Sequence, residues 1–218
     1  MHLRPKPWTQ DELNSCGFFL EPPFDYKGKW QTVFKQQQPL YLELGCGKGT
    51  FIAQKAFLHP EINWLGMDMI GTVLGHAQRN ARKLYGDRPI DNLRLTAYDI
   101  SRLENVMSAE DQVDRIYINF CNPWPRHKHH KKRLTHPRQL EKYKMILKPG
   151  AQIHFKTDDD HLFQDSLEYF AESGFETIYL NEDLHADPWE ENICTEHELM
   201  FSAQGIKIKA GIFLMRNS

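Results

Sequence analysis

The segment Tyr41-Leu42-Glu43-Leu44-Gly45-Cys46-Gly47-Lys48-Gly49 constrains the fold of this chain more than any other. A short apolar run ends in glycines at alternate positions and passes directly into a segment of helical pattern. Glycine reaches backbone conformations closed to other residues and lets the main chain approach a ligand closely. Between a strand and a helix, it marks the place where an open, doubly wound sheet binds a nucleotide-like ligand. The downstream periodicity agrees: strands at 40–44, 63–68 and 93–97 alternate with helices at 50–58 and 72–85. A strand at 115–120 follows, then a basic stretch and a helix near 137–147 that the Lys148-Pro149-Gly150 turn ends. A strand at 151–156, a helix at about 162–173 stopped by Gly174, a strand at 176–180 and an antiparallel candidate at 206–215 complete the pattern. This is an α/β, Rossmann-like architecture: a seven-stranded, mostly parallel sheet with helices on both faces.

With 218 residues, 40% of them hydrophobic, the chain has enough apolar material for one full core. The expected organisation is an N-terminal extension, 1–35, and one domain, 36–218. Within the extension, Thr9-Gln10-Asp11-Glu12 fits a capping box opening a short helix, and Glu21-Pro22-Pro23 breaks regular structure. The net charge of −2 advertises no polyanionic partner, so any nucleic acid must be recognised by a local patch. Cys16, Cys46, Cys121 and Cys194 are far apart and form no Cys-x-x-Cys pair, as expected of reduced cytosolic thiols without a metal site. No apolar run has the length of a membrane span or a signal peptide. The expectation is a soluble, cytoplasmic protein, as monomer or homodimer.

The glycine loop discriminates between ligands. A dinucleotide fold requires G-x-G-x-x-G, but the position of its third glycine is Thr50. Glu43, just before Gly45, would repel a pyrophosphate but attract a ligand carrying amino and sulfonium charges. S-adenosylmethionine is such a ligand. Asp68, ending the second strand, stands where an acid accepts hydrogen bonds from both ribose hydroxyls, and Asp99, after the third, can receive the adenine amino group. The plainer alternative is an ordinary turn with solvated acids at strand ends. It leaves unexplained why all three acids fall at the carboxyl ends of successive strands.

The fourth strand runs into Asn119-Phe120-Cys121-Asn122-Pro123-Trp124-Pro125, at the same edge of the sheet as the glycine loop. Two prolines restrict its backbone, and Trp124 offers a face for a planar substrate or a body for the core. Arg126-His127-Lys128-His129-His130-Lys131-Lys132-Arg133 then places five fixed positive charges in eight residues. Directly behind a candidate active-site loop, this run is explained better by polyanion contact than by solubility. Its histidines lack a carboxylate and make a poor divalent-metal site. Lys156-Thr157-Asp158 and Thr195-Glu196-His197-Glu198 are further polar clusters near strand ends, each readable as helix-capping chemistry.

Taken together, these residues resemble the bacterial tRNA (guanine-N7-)-methyltransferases, a family of class I S-adenosylmethionine-dependent enzymes, over nearly the whole chain. The marks are Lys6-Pro7-Trp8, Tyr26-Lys27-Gly28-Lys29-Trp30, the 42–49 loop, Asn122-Pro123-Trp124-Pro125 with the basic run, His154-Phe155-Lys156-Thr157-Asp158, and Thr195-Glu196-His197-Glu198. The resemblance implies methylation of N7 of a variable-loop guanosine in tRNA. It implies that Glu43, Gly45, Gly47, Gly49, Asp68, Asp99 and Asn122 line the cofactor site, with Asn122 and Asp158 catalytic. It further implies that Arg126, Asp158, Thr195, Glu196, His197 and Glu198 bind the guanosine, and that Lys128, His129, His130, Lys131, Lys132 and Arg133 hold RNA phosphates.

Four positions depart from the family pattern: Asp68 for Glu, Arg126 for Lys, His197 for Tyr, and Asn122 for an Asp regarded as catalytic. Guanine N7 has a lone pair and no proton, so attack on a sulfonium methyl requires alignment rather than a general base. An asparagine there lowers turnover without abolishing it, helped by Asp158 and Glu198. Two alternatives stay open. Asn-Pro-Trp is also similar to the Asn-Pro-Pro-Tyr-type loop of amino-methyltransferases, and a chain that has lost turnover would be an RNA-binding module.

Overall fold

The computed structural model describes residues 7–187, 189 and 192–216; Lys6 of the Lys6-Pro7-Trp8 mark lies outside them. The chain forms two compact units, Met1–Asp111 and Gln112–Ser218. Among the described residues are seven strands, which belong to one mostly parallel sheet accompanied by helices.

The first unit contains α1 (Pro7–Asn14), β1 (Leu40–Leu44), α2 (Thr50–Leu58), β2 (Asn63–Asp68), α3 (Gly71–Tyr85) and β3 (Leu93–Ala97). Its strands are parallel in the order β3-β2-β1, with Leu44 opposite Met67 and Asp68 opposite Ala97. Every residue of β2 before Asp68 is buried, so both faces of this strand are covered, which is why it reads as a continuous apolar run. The expected capping box at Thr9 is not formed. The helix already includes Pro7 and Trp8, a first-turn position proline tolerates, and Thr9 is buried inside it. Glu12 pairs instead with Arg79 and Gln78 of α3.

Residues behind α1 pack into the same unit. Phe18 and Leu20 exchange backbone hydrogen bonds with Leu95, covering the outer edge of β3. The fully buried Trp30 donates its indole N–H to Val106 O (2.8 Å), and the Asp111 carboxylate collects the N–H groups of Gly28, Trp30 and Ser108.

The second unit contains β4 (Val113–Asn119), α4 (Pro137–Ile146), β5 (Leu147–Thr157), α5 (Asp160–Glu172), β6 (Phe175–Asn181), α6 (Glu196–Ser202) and β7 (Lys209–Met215). Here β4 and β5 are parallel, and β7 lies antiparallel to both β5 and β6, the arrangement expected of the last strand. Phe213 of β7 stacks on Phe170 of α5 at 3.7 Å between centroids and fixes this half of the core. The expected turn at Lys148-Pro149-Gly150 is a bulge inside β5. Leu147 already pairs with Val113, the ladder resumes at Gln152 with Arg115, and Gly150 absorbs the irregularity at φ 78°. The basic run, expected as a polar loop, includes a 3-10 helix over His127–Lys132. No helix among the described residues is long and apolar enough to cross a membrane.

Candidate active site

In the first unit, the loop after β1 takes its shape from the backbone. Gly45, Gly47 and Gly49 have φ of 79°, 53° and 67°, a region costly to any residue with a Cβ. A Cβ on Gly49 would lie 2.6 Å from that of Ala77 in α3, whereas one on Gly47 would meet nothing within 4 Å. Gly49 is therefore a packing glycine, and Gly47 borders open space. The N–H groups of Gly45 and Cys46 both donate to Met67 O (2.8 and 3.1 Å), carrying the β1–β2 pairing into the loop and laying it beside Asp68.

One Asp68 oxygen accepts from Gly47 N–H at 3.0 Å and the other from Ile70 N–H at 2.9 Å, and Met69 N–H also acts on the carboxylate, whose roughly four lone-pair sites are thus not all taken. Burial pushes the Asp68 carboxyl above its ordinary value, against the pull of those donors. Glu43 is only 2% exposed. The buried Cys46 thiol reports the local field: burial raises it well above the usual thiol range, and Asp68 and Glu43 raise it further. Asp99 is brought alongside by Tyr98 N–H, which donates to Asp68 O at 2.9 Å. One Asp99 oxygen caps the following 3-10 helix through Ser101 N–H, and the side chain stays 43% exposed. A negative loop with an open glycine and acceptor oxygens suits a cationic, ribose-bearing group and disfavours a pyrophosphate.

In the second unit, the chain leaves β4 through two left-handed residues that are not glycine, Phe120 (φ 52°) and Trp124 (φ 42°). Asn122 is exposed, and its side-chain carbonyl accepts Trp124 N–H at 3.0 Å, closing a turn. Burial pushes the neighbouring Cys121 thiol up to about 12. Parallel pairing of Asn119 with Lys156 carries Asp158, two residues on, to the same strand end as this loop. Asp158 is half-buried and does not cap α5; Asp159 does, accepting Leu162 N–H at 2.7 Å. Among the described residues, the Asp158 carboxylate accepts no hydrogen bond, so it remains available to a substrate.

The remaining expected contacts divide. Arg126, Lys128, Lys131 and Lys132 are exposed, with Lys132 Nζ 4.7 Å above the Trp124 ring, while His129 and His130 are half-buried. Arg133 is turned inward, 1% exposed. Glu196 and His197 are exposed, and the His197 ring lies nearly parallel to Phe120 at 6.0 Å. Thr195 and Glu198 form the capping box of α6.

Glu198 is fully buried, receiving Lys156 Nζ at 2.7 Å and Asn192 Nδ2 at 2.6 Å. Burial alone would raise its carboxyl, but Lys156, Asn192 and the Thr195 N–H together hold it below its ordinary value. Glu198 therefore ties α6 to β5 rather than facing a ligand. The sequence carried one sign of this: Lys156 is a lone cation in the apolar strand Ile153-His154-Phe155 and must have a buried partner. Phe120, Asp165 and Asn192 carried no such sign.

Residues 37–210 match a family described as "Putative methyltransferase". The chain is 53% identical to the tRNA (guanine-N(7)-)-methyltransferase of Clostridium beijerinckii, over 100% of both chains. It is 47% identical to the protein so named in Acetivibrio thermocellus, over 96% of this chain and 97% of that relative. Among solved structures, the 16S rRNA methyltransferase KamB superposes with a TM-score of 0.63 at 14% identity, over 87% of this chain and 93% of that one. A 16S rRNA (adenine(1408)-N(1))-methyltransferase with cosubstrate SAM from Catenulisporales acidiphilia gives 0.54 at 13%, over 89% and 92%. At such identities these two likenesses concern the fold.

Proposed function

The chain belongs to the bacterial tRNA (guanine-N(7)-)-methyltransferase family, and from that premise we propose how its residues carry the reaction. It is an S-adenosylmethionine-dependent enzyme that methylates N7 of a guanosine in tRNA. We assign that guanosine to the variable loop and the protein to the cytoplasm.

The observation that carries the reading is the acid-lined glycine loop, where Glu43 is buried and Asp68 keeps acceptor capacity beside the open side of Gly47. S-adenosylmethionine supplies an electrophilic methyl on a sulfonium. Glu43 offsets the positive charge of that ligand, Asp68 accepts from its ribose, and Asp99 keeps an exposed face for its base. In the second unit, Asn122 presents its carboxamide to the guanine and orients it, while Asp158 places a negative charge where attack by N7 leaves the base positive. Arg126 and the Phe120–His197 pair flank the guanosine, Thr195 and Glu198 shape the start of α6, and Lys128, Lys131 and Lys132 face phosphates.

The test is to incubate the protein with labelled S-adenosylmethionine and bulk tRNA and to identify the modified nucleoside. Labelled 7-methylguanosine is the expected product. A methylated exocyclic amine would select the amino-methyltransferase reading, and no product would leave a tRNA-gripping module.

A further inference from the structure

Arg133 closes the basic run but does not share its exposure. At 1% exposed, it donates Nε–H to Pro123 O at 2.7 Å, one terminal nitrogen to the Asp165 carboxylate of α5, and the other to His130 Nε2 at 3.1 Å. Because His130 accepts through Nε2, its proton sits on Nδ1, which faces Asp165 at 3.9 Å. Proline has no N–H, so the carbonyl is the sole hydrogen-bonding group of the Pro123 backbone. It lies in the middle of the loop that carries Asn122.

We infer that Arg133 and Asp165 are positioning residues for this loop: the guanidinium, oriented by Asp165, grips the Pro123 carbonyl and so fixes where Asn122 stands. The inference rests on the function proposed above for its consequence, but its geometry is independent of the substrate. The loop needs an external tie because Phe120 and Trp124 hold left-handed conformations without being glycine, which is unfavourable for residues with a Cβ. Arginine suits the task, since its rigid planar fork fixes the directions of its N–H groups toward three partners, whereas a lysine brings a single point charge on a flexible stem. The run is thereby split: Lys128, Lys131 and Lys132 face outward, and His130 and Arg133 brace the loop from within.

The experiment compares Arg133→Lys and Asp165→Asn with the native full-length protein in three readouts: amide hydrogen exchange of residues 120–127, tRNA affinity against salt, and the single-turnover methylation rate at saturating tRNA and S-adenosylmethionine. Arg133→Lys is expected to accelerate exchange in that segment and slow methyl transfer by roughly 10- to 100-fold, the effect of misplacing an aligned group. tRNA affinity and its salt slope should stay unchanged. Lys131→Gln, by contrast, should flatten the salt slope by about 0.7–0.9. A slope flattened by Arg133→Lys at an unchanged rate would make Arg133 a phosphate contact and overturn the inference. If Arg133→Lys fails to fold, Asp165→Asn decides: slower transfer with faster exchange supports the brace, and native values of both overturn it. A native enzyme that makes no 7-methylguanosine refutes the function instead, and the exchange readout still tests the brace.

Discussion

The loop after β1 and the loop after β4 both leave parallel strands, yet they are held by different means. The first is set by its own backbone, with glycines in left-handed conformations and N–H groups donated to Met67 O and Asp68. The second takes left-handed turns at Phe120 and Trp124 and is held by a side chain from elsewhere, Arg133 on Pro123 O, itself fixed by Asp165, 32 residues away; behind it, β5 and α6 are joined by Lys156 on Glu198, 42 residues away. A backbone-made site can be read from spacing, whereas a side-chain-made site is known only once its distant partners are seen.

The largest expected difference between the two is in stability. Glu198→Ala removes the carboxylate that balances the Lys156 ammonium, only 5% exposed, leaving that buried charge on neutral acceptors such as Asn192 Oδ1 and Ile193 O, and should cost about 3–5 kcal/mol in urea unfolding. A loss below about 1 kcal/mol would mean that the second region is not built on this pair. The first region should break at Gly49, where alanine adds overpacking against Ala77 to left-handed strain, together about 2–4 kcal/mol. Gly47→Ala carries the strain alone, about 1–2 kcal/mol, and its methyl enters the open space proposed for the cofactor. Titration calorimetry should therefore show weaker S-adenosylmethionine binding in Gly47→Ala beyond what its stability loss explains; native affinity would remove Gly47 from the cofactor site.

The smallest effect is a pH dependence of opposite sign in the two regions. Glu198 has its folded pKa held down, so its stabilisation is full above the ordinary carboxylate value of about 4.3 and is lost as pH falls through the folded one. Asp68 has its folded pKa raised by burial, so its contribution is full below the ordinary value of about 3.9 and is lost as pH rises through the raised one. The stability gap between native protein and Glu198→Gln should shrink between pH 7 and pH 3, while native protein gains on Asp68→Asn over the same change. Gaps independent of pH would erase this contrast.

The same contrast explains what could be read in advance. β1, β2 and β3 have the expected bounds because each is a short, largely buried stretch between turn residues, β2 as an apolar run covered on both faces and β3 by alternation of Leu93 and Leu95 with Arg94 and Thr96. The Lys148-Pro149-Gly150 turn became a bulge because parallel pairing with β4 holds the chain on either side of it, a constraint absent from local composition. Thr195 and Glu198 are legible as a capping box, but the burial of Glu198 depends on Lys156 in β5. Arg133 looks like its lysine neighbours in sequence and parts from them only through Pro123 and Asp165.

The central claim is that the braced loop aligns and polarises a guanine that needs no deprotonation. The direct test is the single-turnover methylation rate of Asn122→Asp at saturating tRNA and S-adenosylmethionine. An aspartate keeps the acceptor for Trp124 N–H and adds a negative charge beside the developing positive one. The expected result is a faster rate, on the order of tenfold for about 1.4 kcal/mol of added stabilisation. A rate unchanged or lowered would contradict it.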